Sequence, residues 1–400
     1  MTTQSIWASG AFVWPVLLLC AWFVAERLHA WWGVPRVSSY VGVGLMASAI
    51  GMPGLGVLQP GLFFLANFAL GLVLFELGYR INLRWFWHNP WVFLVGLVES
   101  ALTFLAVFWV TGWFGLPIEV RLIMAALAVS ASPAGIVRVA NELRGSGQVT
   151  ERVMHLCAIN ALVAVVLVTA VVGYWQLRTS GEWLSASLSA VYGMTVAVAL
   201  GGAMGVLVPW LLRQTEVRRN SATVLFALLV LLLVTLSSVL QISPLLAALS
   251  FGVVARERRI ELTPTQRDFG SLGDLLGVFL FVYVASLMQW SHVWSGLTLA
   301  VIVLGVRLVS KVGCNVLVAR CSGITLRKGA LTGLALTPMS AFAVLLLEHS
   351  RLTGFEPAVG AWAAMAALLV LQELLGPWVT QRSLMAARET HVDGAAPPLR

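Results

Sequence analysis

Charged side chains are scarce in this chain: Asp, Glu, Lys and Arg make up 10% of its 400 residues, against about 25% in an ordinary soluble domain. That scarcity excludes a water-soluble globular protein. Lysine is nearly missing, with Lys311 and Lys328 its only instances. The few cysteines, Cys20, Cys157, Cys314 and Cys321, lie in or beside apolar runs at no metal-ligand spacing. They read as small packing residues, so neither a disulfide framework nor a metal centre is expected. No arrangement of catalytic residues and no phosphate-binding glycine loop stands out, and the glycines at 201, 202 and 205 read as small-residue helix packing. Neither enzyme chemistry nor a cofactor is expected. The net charge of +8 does not call for nucleic acid, because arginines that fix membrane orientation give the same excess.

What the chain has in abundance is apolar length: 59% of residues are hydrophobic and the mean hydropathy is +0.90. Stretches long enough to cross a bilayer recur from end to end. The expected fold is an all-α polytopic membrane protein with about 13 transmembrane helices, near 11–30, 38–58, 62–79, 90–114, 119–139, 153–177, 185–212, 221–240, 243–255, 271–289, 294–319, 328–347 and 357–380. Residues 12–25 are apolar but lack a basic flank and a small-residue cleavage site, so they read as the first span, not a cleaved signal. Residues 1–389 form a single transmembrane domain in this reading, and 390–400 a disordered tail. Under this count nearly all Arg residues fall on one side, while the other receives only Arg121, Arg178 and Arg351. That asymmetry puts the N-terminus outside and the C-terminus in the cytoplasm. The membrane is expected to be a bacterial inner membrane. Trp31, Trp32, Trp85, Trp87, Trp91, Trp109 and Trp113 near span ends fit an interfacial belt.

Two spans carry breakers at depth: Ser130, Ser132 and Pro133 in the fifth, and Thr337, Pro338 and Ser340 in the twelfth. The two are an odd number of spans apart and therefore cross in opposite directions. Paired interrupted helices in corresponding positions of two halves mark a transporter's binding site. In the eleventh span, Lys311 follows Arg307 by one helical turn inside the apolar stretch 297–318. A cation there costs at least about 2.5–3.5 kcal/mol and calls for a partner. The acids within reach are Glu76 in the third span, Glu99 in the fourth, Glu373 in the last and Glu348 at the end of the twelfth.

Several runs resemble one family in order along the chain. Residues 34–45 (VPRVSSYVGVGL), 74–83 (LFELGYRINL), 130–143 (SASPAGIVRVANEL), 307–313 (RLVSKVG), 333–342 (GLALTPMSAF) and 371–377 (LQELLGP) are similar to segments of sodium/hydrogen exchangers in the monovalent cation:proton antiporter superfamily. The resemblance implies inverted repeats with two crossed broken helices and a homodimer. It also implies elevator-like movement of a core built from about 119–177 and 294–347, with a monovalent cation and protons as partners.

The departures from that family concern its acids. The helix after the first break reads LCAINALV over 156–163, so Asn160 fits while Ala161 stands where the family's aspartate belongs. Ser132 replaces the aspartate beside the break, Asn82 the acid ending the third helix, and residues 339–341 the family's Arg-Gly-Glu. Three readings stay open. In the first, a cation:proton antiporter handles its ion near Asn160, Ser132, Thr337 and Lys311, with Arg307, Glu76 or Glu99 completing the charge. In the second, the same scaffold moves an anion or an uncoupled solute past bare cations. In the third, the chain does not transport at all.

Overall fold

The computed structural model describes residues 12–52, 55, 59–180, 183–214, 222–258, 269–288, 290–339, 341–352 and 359–390. All regular structure among them is helical: α1 (Val13–Trp32), α2 (Arg36–Ala49), α3 (Pro60–Arg80), α4 (Leu83–His88), α5 (Pro90–Trp113), α6 (Ile118–Val129), α7 (Pro133–Glu142), α8 (Gln148–Ser180), α9 (Trp183–Gln214), α10 (Ala222–Val239), α11 (Pro244–Glu257), α12 (Gly270–Ser286), α13 (Trp290–Ala319), α14 (Leu326–Ala335), α15 (Ala341–Leu352) and α16 (Val359–Ala386). Among the described residues, seven stretches are long and apolar enough to cross a membrane: α1, α3, α5, α6 with α7, α8, α9 and α13. The fifth and twelfth spans are each split in two, and α4 is a short helix the sequence did not announce. Ser340 and the tail 391–400 lie outside the described residues.

Local chemistry sets the helix boundaries. Pro60, Pro90, Pro133 and Pro244 stand at first-turn positions, where a missing N–H costs nothing. The hydroxyls of Ser132, Ser243 and Thr325 accept from Gly135 N, Leu246 N and Lys328 N and so cap α7, α11 and α14. At the end of α1, Gly33 takes the left-handed conformation at φ 64°.

The helices pack as two groups. In the central group, α5 packs on α6, α8 and α13, α6 on α8, and α13 on α14 and α16. It therefore contains two three-span units, α5, α6/α7, α8 and α13, α14/α15, α16, each with its broken helix in the middle. In the flanking group, α11 packs on α3, α9 and α10, while α2 packs on α1 and α12. The outer faces carry exposed Leu19, Trp22, Phe23, Trp109 and Trp113, the composition of a lipid-facing surface.

The flanking group is held by backbone contact more than by bulk. A Cβ at Gly252 of α11 would fall onto Phe75 O and Tyr79 N of α3, and one at Gly78 onto Leu249 O and Val253 N. Such close crossings replace the hydrophobic drive that lipid cannot supply. Substituting Gly252→Val should therefore separate α3 from α11 at a cost of about 1–3 kcal/mol or more. Thermal unfolding of the purified protein should show a lowered midpoint. Gly202→Val, whose nearest neighbour is 3.9 Å away, should melt like the wild type.

Candidate functional site

The two breaks meet each other directly. Ser132 N donates to Pro338 O at 2.8 Å, so the interruption of α6/α7 crosses that of α14/α15 through the backbone. Ending α6 at Val129 and restarting at Pro133 strips carbonyls of their helical donors, and α14 ends in the same way. One side chain collects them. The Arg307 guanidinium donates from Nε to Ala128 O at 2.7 Å, from Nη2 to Ser130 O at 2.8 Å and from Nη1 to Thr337 O at 2.8 Å. With its amide turned to satisfy both neighbours, Gln372 of α16 accepts from Arg307 Nη1 at 2.7 Å and donates to Thr337 O at 2.9 Å. A cation at the C-terminal ends of two half-helices is also placed favourably for their dipoles.

One turn further along α13, Lys311 has found its acid. Its Nζ donates to Glu99 Oε1 of α5 at 2.6 Å and to Val129 O at 3.2 Å. Both side chains of the pair are 0% exposed. The carboxylate is held from two further sides. Asn160 Nδ2 donates to Oε1 at 3.1 Å and Asn315 Nδ2 to Oε2 at 3.1 Å. Ser100 Oγ donates to Asn160 Oδ1 at 3.1 Å, which turns the amide's N–H toward Glu99.

Small residues bring these helices together. Gly96, one turn before Glu99, leaves room for the side chain of Ile159, so α5 reaches α8 beside Asn160. Gly333 and Gly329 of α14 lie against Lys311 O and Asn315 O, fixing the turn of α13 that carries the lysine.

The structure thus brings together Lys311, Glu99, Arg307 and Asn160. Ser130 and Thr337 join through their carbonyls, while their hydroxyls bond back to Leu127 O and Leu334 O. Ser132 contributes a cap and the backbone bond to Pro338, and Pro133 opens α7. Glu76 lies elsewhere. Its Oε1 accepts from Arg80 at 2.8 Å and from Asn141 of α7 at 2.8 Å. Glu373 is buried on α16 beside Gln372, and Glu348 lies near the end of α15. The sequence reading missed Asn315, Ser100 and Gln372. Asn315 continues the i, i+4 spacing of Arg307 and Lys311, and that was the available signal.

The C-terminal half of α7 is tied to the flanking group on three sides. Arg138 meets Asp274 at 2.6 Å and also Gly273 O of α12, Asn141 meets Glu76 and Arg80 of α3, and Glu142 meets Arg36 of α2 at 2.9 Å and His29 of α1 at 3.0 Å. A cavity of about 880 Å³ opens beside this cluster, lined by Glu26, Arg36, Arg138, Glu142 and Asp274 among others. A smaller one of about 350 Å³, lined by Thr169, Gln241, Ser243, His349 and Ser350, lies at the end of α15. Lys311 and Glu99 line neither.

Two interrupted helices crossing around a dry ion pair, in a bundle of paired three-span units, define a helical membrane transporter of the inverted-repeat type. The family model for the transmembrane sodium/hydrogen exchanger matches residues 16–385, and the chain belongs to that family. It is 24% identical to the ammonium/H(+) antiporter subunit AmhT of Alkalihalophilus pseudofirmus, over 93% of this chain and 94% of that protein. Its fold is similar to the sodium proton antiporter MjNhaP1 of Methanocaldococcus jannaschii at pH 8, with a TM-score of 0.67 and 15% identity over 94% of this chain and 95% of that one. A second structure of MjNhaP1, from an electron microscopy map, matches with a TM-score of 0.62 and 15% identity over 95% and 92% of the two chains.

Removing Arg307 strands the buried carbonyls of Ala128 and Ser130 and leaves Thr337 O with Gln372 alone. Arg307→Ala should cost about 3–5 kcal/mol, the usual loss when one partner of a buried charged network is deleted. Arg307→Lys should recover only part, because a single ammonium cannot span Ala128, Ser130 and Thr337 as the planar fork does. Thermal melts of the purified variants should rank wild type above Arg307→Lys above Arg307→Ala.

Proposed function

We propose that this chain exchanges a monovalent cation for protons across the membrane, with Glu99 as the ion-exchanging carboxylate and Lys311 as its resident counter-ion. The observation that carries this reading is the 2.6 Å ion pair between the two, fully buried where the broken helices cross. Glu99 supplies, from α5, the negative charge that Ala161 does not.

The chemistry follows from the partners in place. A cation entering the site competes with the Lys311 ammonium for Glu99 Oε1 and Val129 O. When it wins, the lysine withdraws and its proton is passed to solution. When the cation leaves, the lysine takes up a proton and returns. The site sums to zero charge with Glu99 and protonated Lys311, and again to zero with Glu99, a cation and neutral Lys311. Exchange of one cation for one proton is therefore electroneutral. The pocket already holds a primary ammonium, and the relative AmhT is by name a subunit of an ammonium/H(+) antiporter. Ammonium accordingly stands beside sodium and potassium as a substrate.

Alternating access is taken to be elevator-like, with α5–α8 and α13–α16 moving as one body against the flanking helices. The packing of α5 chiefly on α6, α8 and α13 supports including it. The membrane is taken to be a bacterial inner membrane, with the N-terminus outside and the C-terminus in the cytoplasm, and the assembly a homodimer. The anion reading relied on cations without counter-charge, and the carboxylate at Lys311 and the carbonyls at Arg307 speak against it.

In proteoliposomes with a trapped pH-sensitive dye, gradients of sodium, potassium or ammonium should drive proton movement by the wild type. Glu99→Gln should lose at least about 90% of it, the effect of removing a group worth more than about 1.4 kcal/mol in the transport cycle. Full exchange by Glu99→Gln would overturn the reading. Clamping the membrane potential should leave the wild-type rate unchanged.

A further inference from the structure

Asn315 is buried on the same face of α13 as Lys311 and Arg307, and none of the segments resembling the family includes it. Its Nδ2 donates both to Glu99 Oε2 at 3.1 Å and to Lys311 O at 2.9 Å. Each oxygen of Glu99 thus has a neutral amide donor: Asn160 on Oε1 and Asn315 on Oε2. Lys311 is the only charged donor described on either oxygen, and it is the one that the exchange cycle displaces.

We propose that Asn315 is a positioning residue for the exchange carboxylate, holding Glu99 aligned and ionised during the interval when Lys311 has let go and the cation is bound. The proposal rests on the exchange reading of Glu99. Three observations lead to it. Asn315 bonds the oxygen that Lys311 does not touch, so its hold survives the departure of the lysine. Its second bond, to the carbonyl of Lys311 and not to the ammonium, is indifferent to where the lysine side chain points. Gly329 and Gly333 press α14 against this turn of α13, so the amide's backbone cannot drift when the ammonium moves.

In a dry site, a hydrogen bond donated to a carboxylate favours its charged form over its protonated form. Loss of the bond would let a proton compete better against the cation at the same oxygen pair. Cation affinity should fall while the conformational step is left alone.

The test uses Asn315→Leu, close in volume and without a donor, and Asn315→Gln, which restores an amide on a longer stem. Both are compared with the wild type in proteoliposomes and as purified full-length protein. For Asn315→Leu the cation KM should rise about tenfold with kcat within about threefold, and the pH–rate profile should move about one unit toward alkaline pH. Asn315→Gln should recover most of both. Infrared difference spectra, with the Glu99 carboxylate band identified by its loss in Glu99→Gln, should show that band displaced in Asn315→Leu. An unchanged KM and pH profile in an Asn315→Leu protein that melts like the wild type would overturn the proposal, as would an unchanged Glu99 band. A displaced band in a protein whose wild type drives no exchange would sink the exchange reading while upholding the hold of Asn315 on Glu99.

Discussion

A helix interrupted inside a bilayer leaves carbonyls that water cannot reach, and Arg307 is what makes two such interruptions tolerable together. Each unsatisfied group costs several kcal/mol in hydrocarbon. The guanidinium answers Ala128, Ser130 and Thr337 from one centre, and Gln372 closes the remaining gap at Thr337. Its planar fork is suited to this, because its donors point in fixed directions at carbonyls from both half-helices. The crossing, the orientation of α13 and the placement of Lys311 follow from that clamp. With Arg307 fixed, Lys311 falls one turn further on the same face, directly at Glu99.

The acid against Asn160 stands on a different helix from the one the family resemblance points to. Ala161 occupies the position that resembles the family's aspartate, yet the carboxylate of Glu99 lies against Asn160, the residue beside it. This substitution needs α5 to approach α8 closely, which Gly96 permits by admitting Ile159. It also joins the first helices of the two three-span units, so the ion pair ties one half of the repeat to the other. A charge pair buried this deeply contributes little net stability when formed, but breaking one side of it is costly. It therefore acts as a constraint on how α5 and α13 sit against each other.

Most of the architecture was legible in the residues, because breakers and charges are rare in an apolar chain and each one carries weight. Pro133 and Pro338 fixed the two interrupted spans, and the insertion cost of Lys311 required a partner before any was known. The choice between Glu76 and Glu99 was not legible. Depth along a helix can be counted from sequence, but the direction a side chain faces depends on packing, and no periodicity marks a face in helices apolar all round. Glu76 could have been discounted from Arg80, an i+4 partner on its own helix. The polar face of α13 was also readable as Arg307, Lys311 and Asn315 at successive turns. Gln372 carries no signal of its own beside Glu373, the acid next to it. The three ties of α7 to the flanking helices join residues far apart in sequence and had no local signature.

Those ties bear on how the site can move. α7 is 10 residues long, a rod of about 15 Å. Its first turn follows Ser132, bonded to the other break, and its C-terminal half holds Arg138, engaged with α12, Asn141, engaged with α3, and Glu142, engaged with α1 and α2. A rod this short does not bend appreciably, so a displacement of the crossing relative to α1, α2, α3 and α12 carries the far end with it. All three contacts then break together, two of them (Arg138–Asp274 and Arg36–Glu142) beside the larger cavity, where water can solvate the separated charges. Water there weakens the Arg138–Asp274 and Arg36–Glu142 pairs, whereas Glu76 is buried. Dry Lys311 and Glu99 have no such relief. The inner pair is therefore costly to separate, while the ties at the cavity border water. That division makes one half-helix both a wall around the buried pair and the bridge from the crossing to the flanking helices.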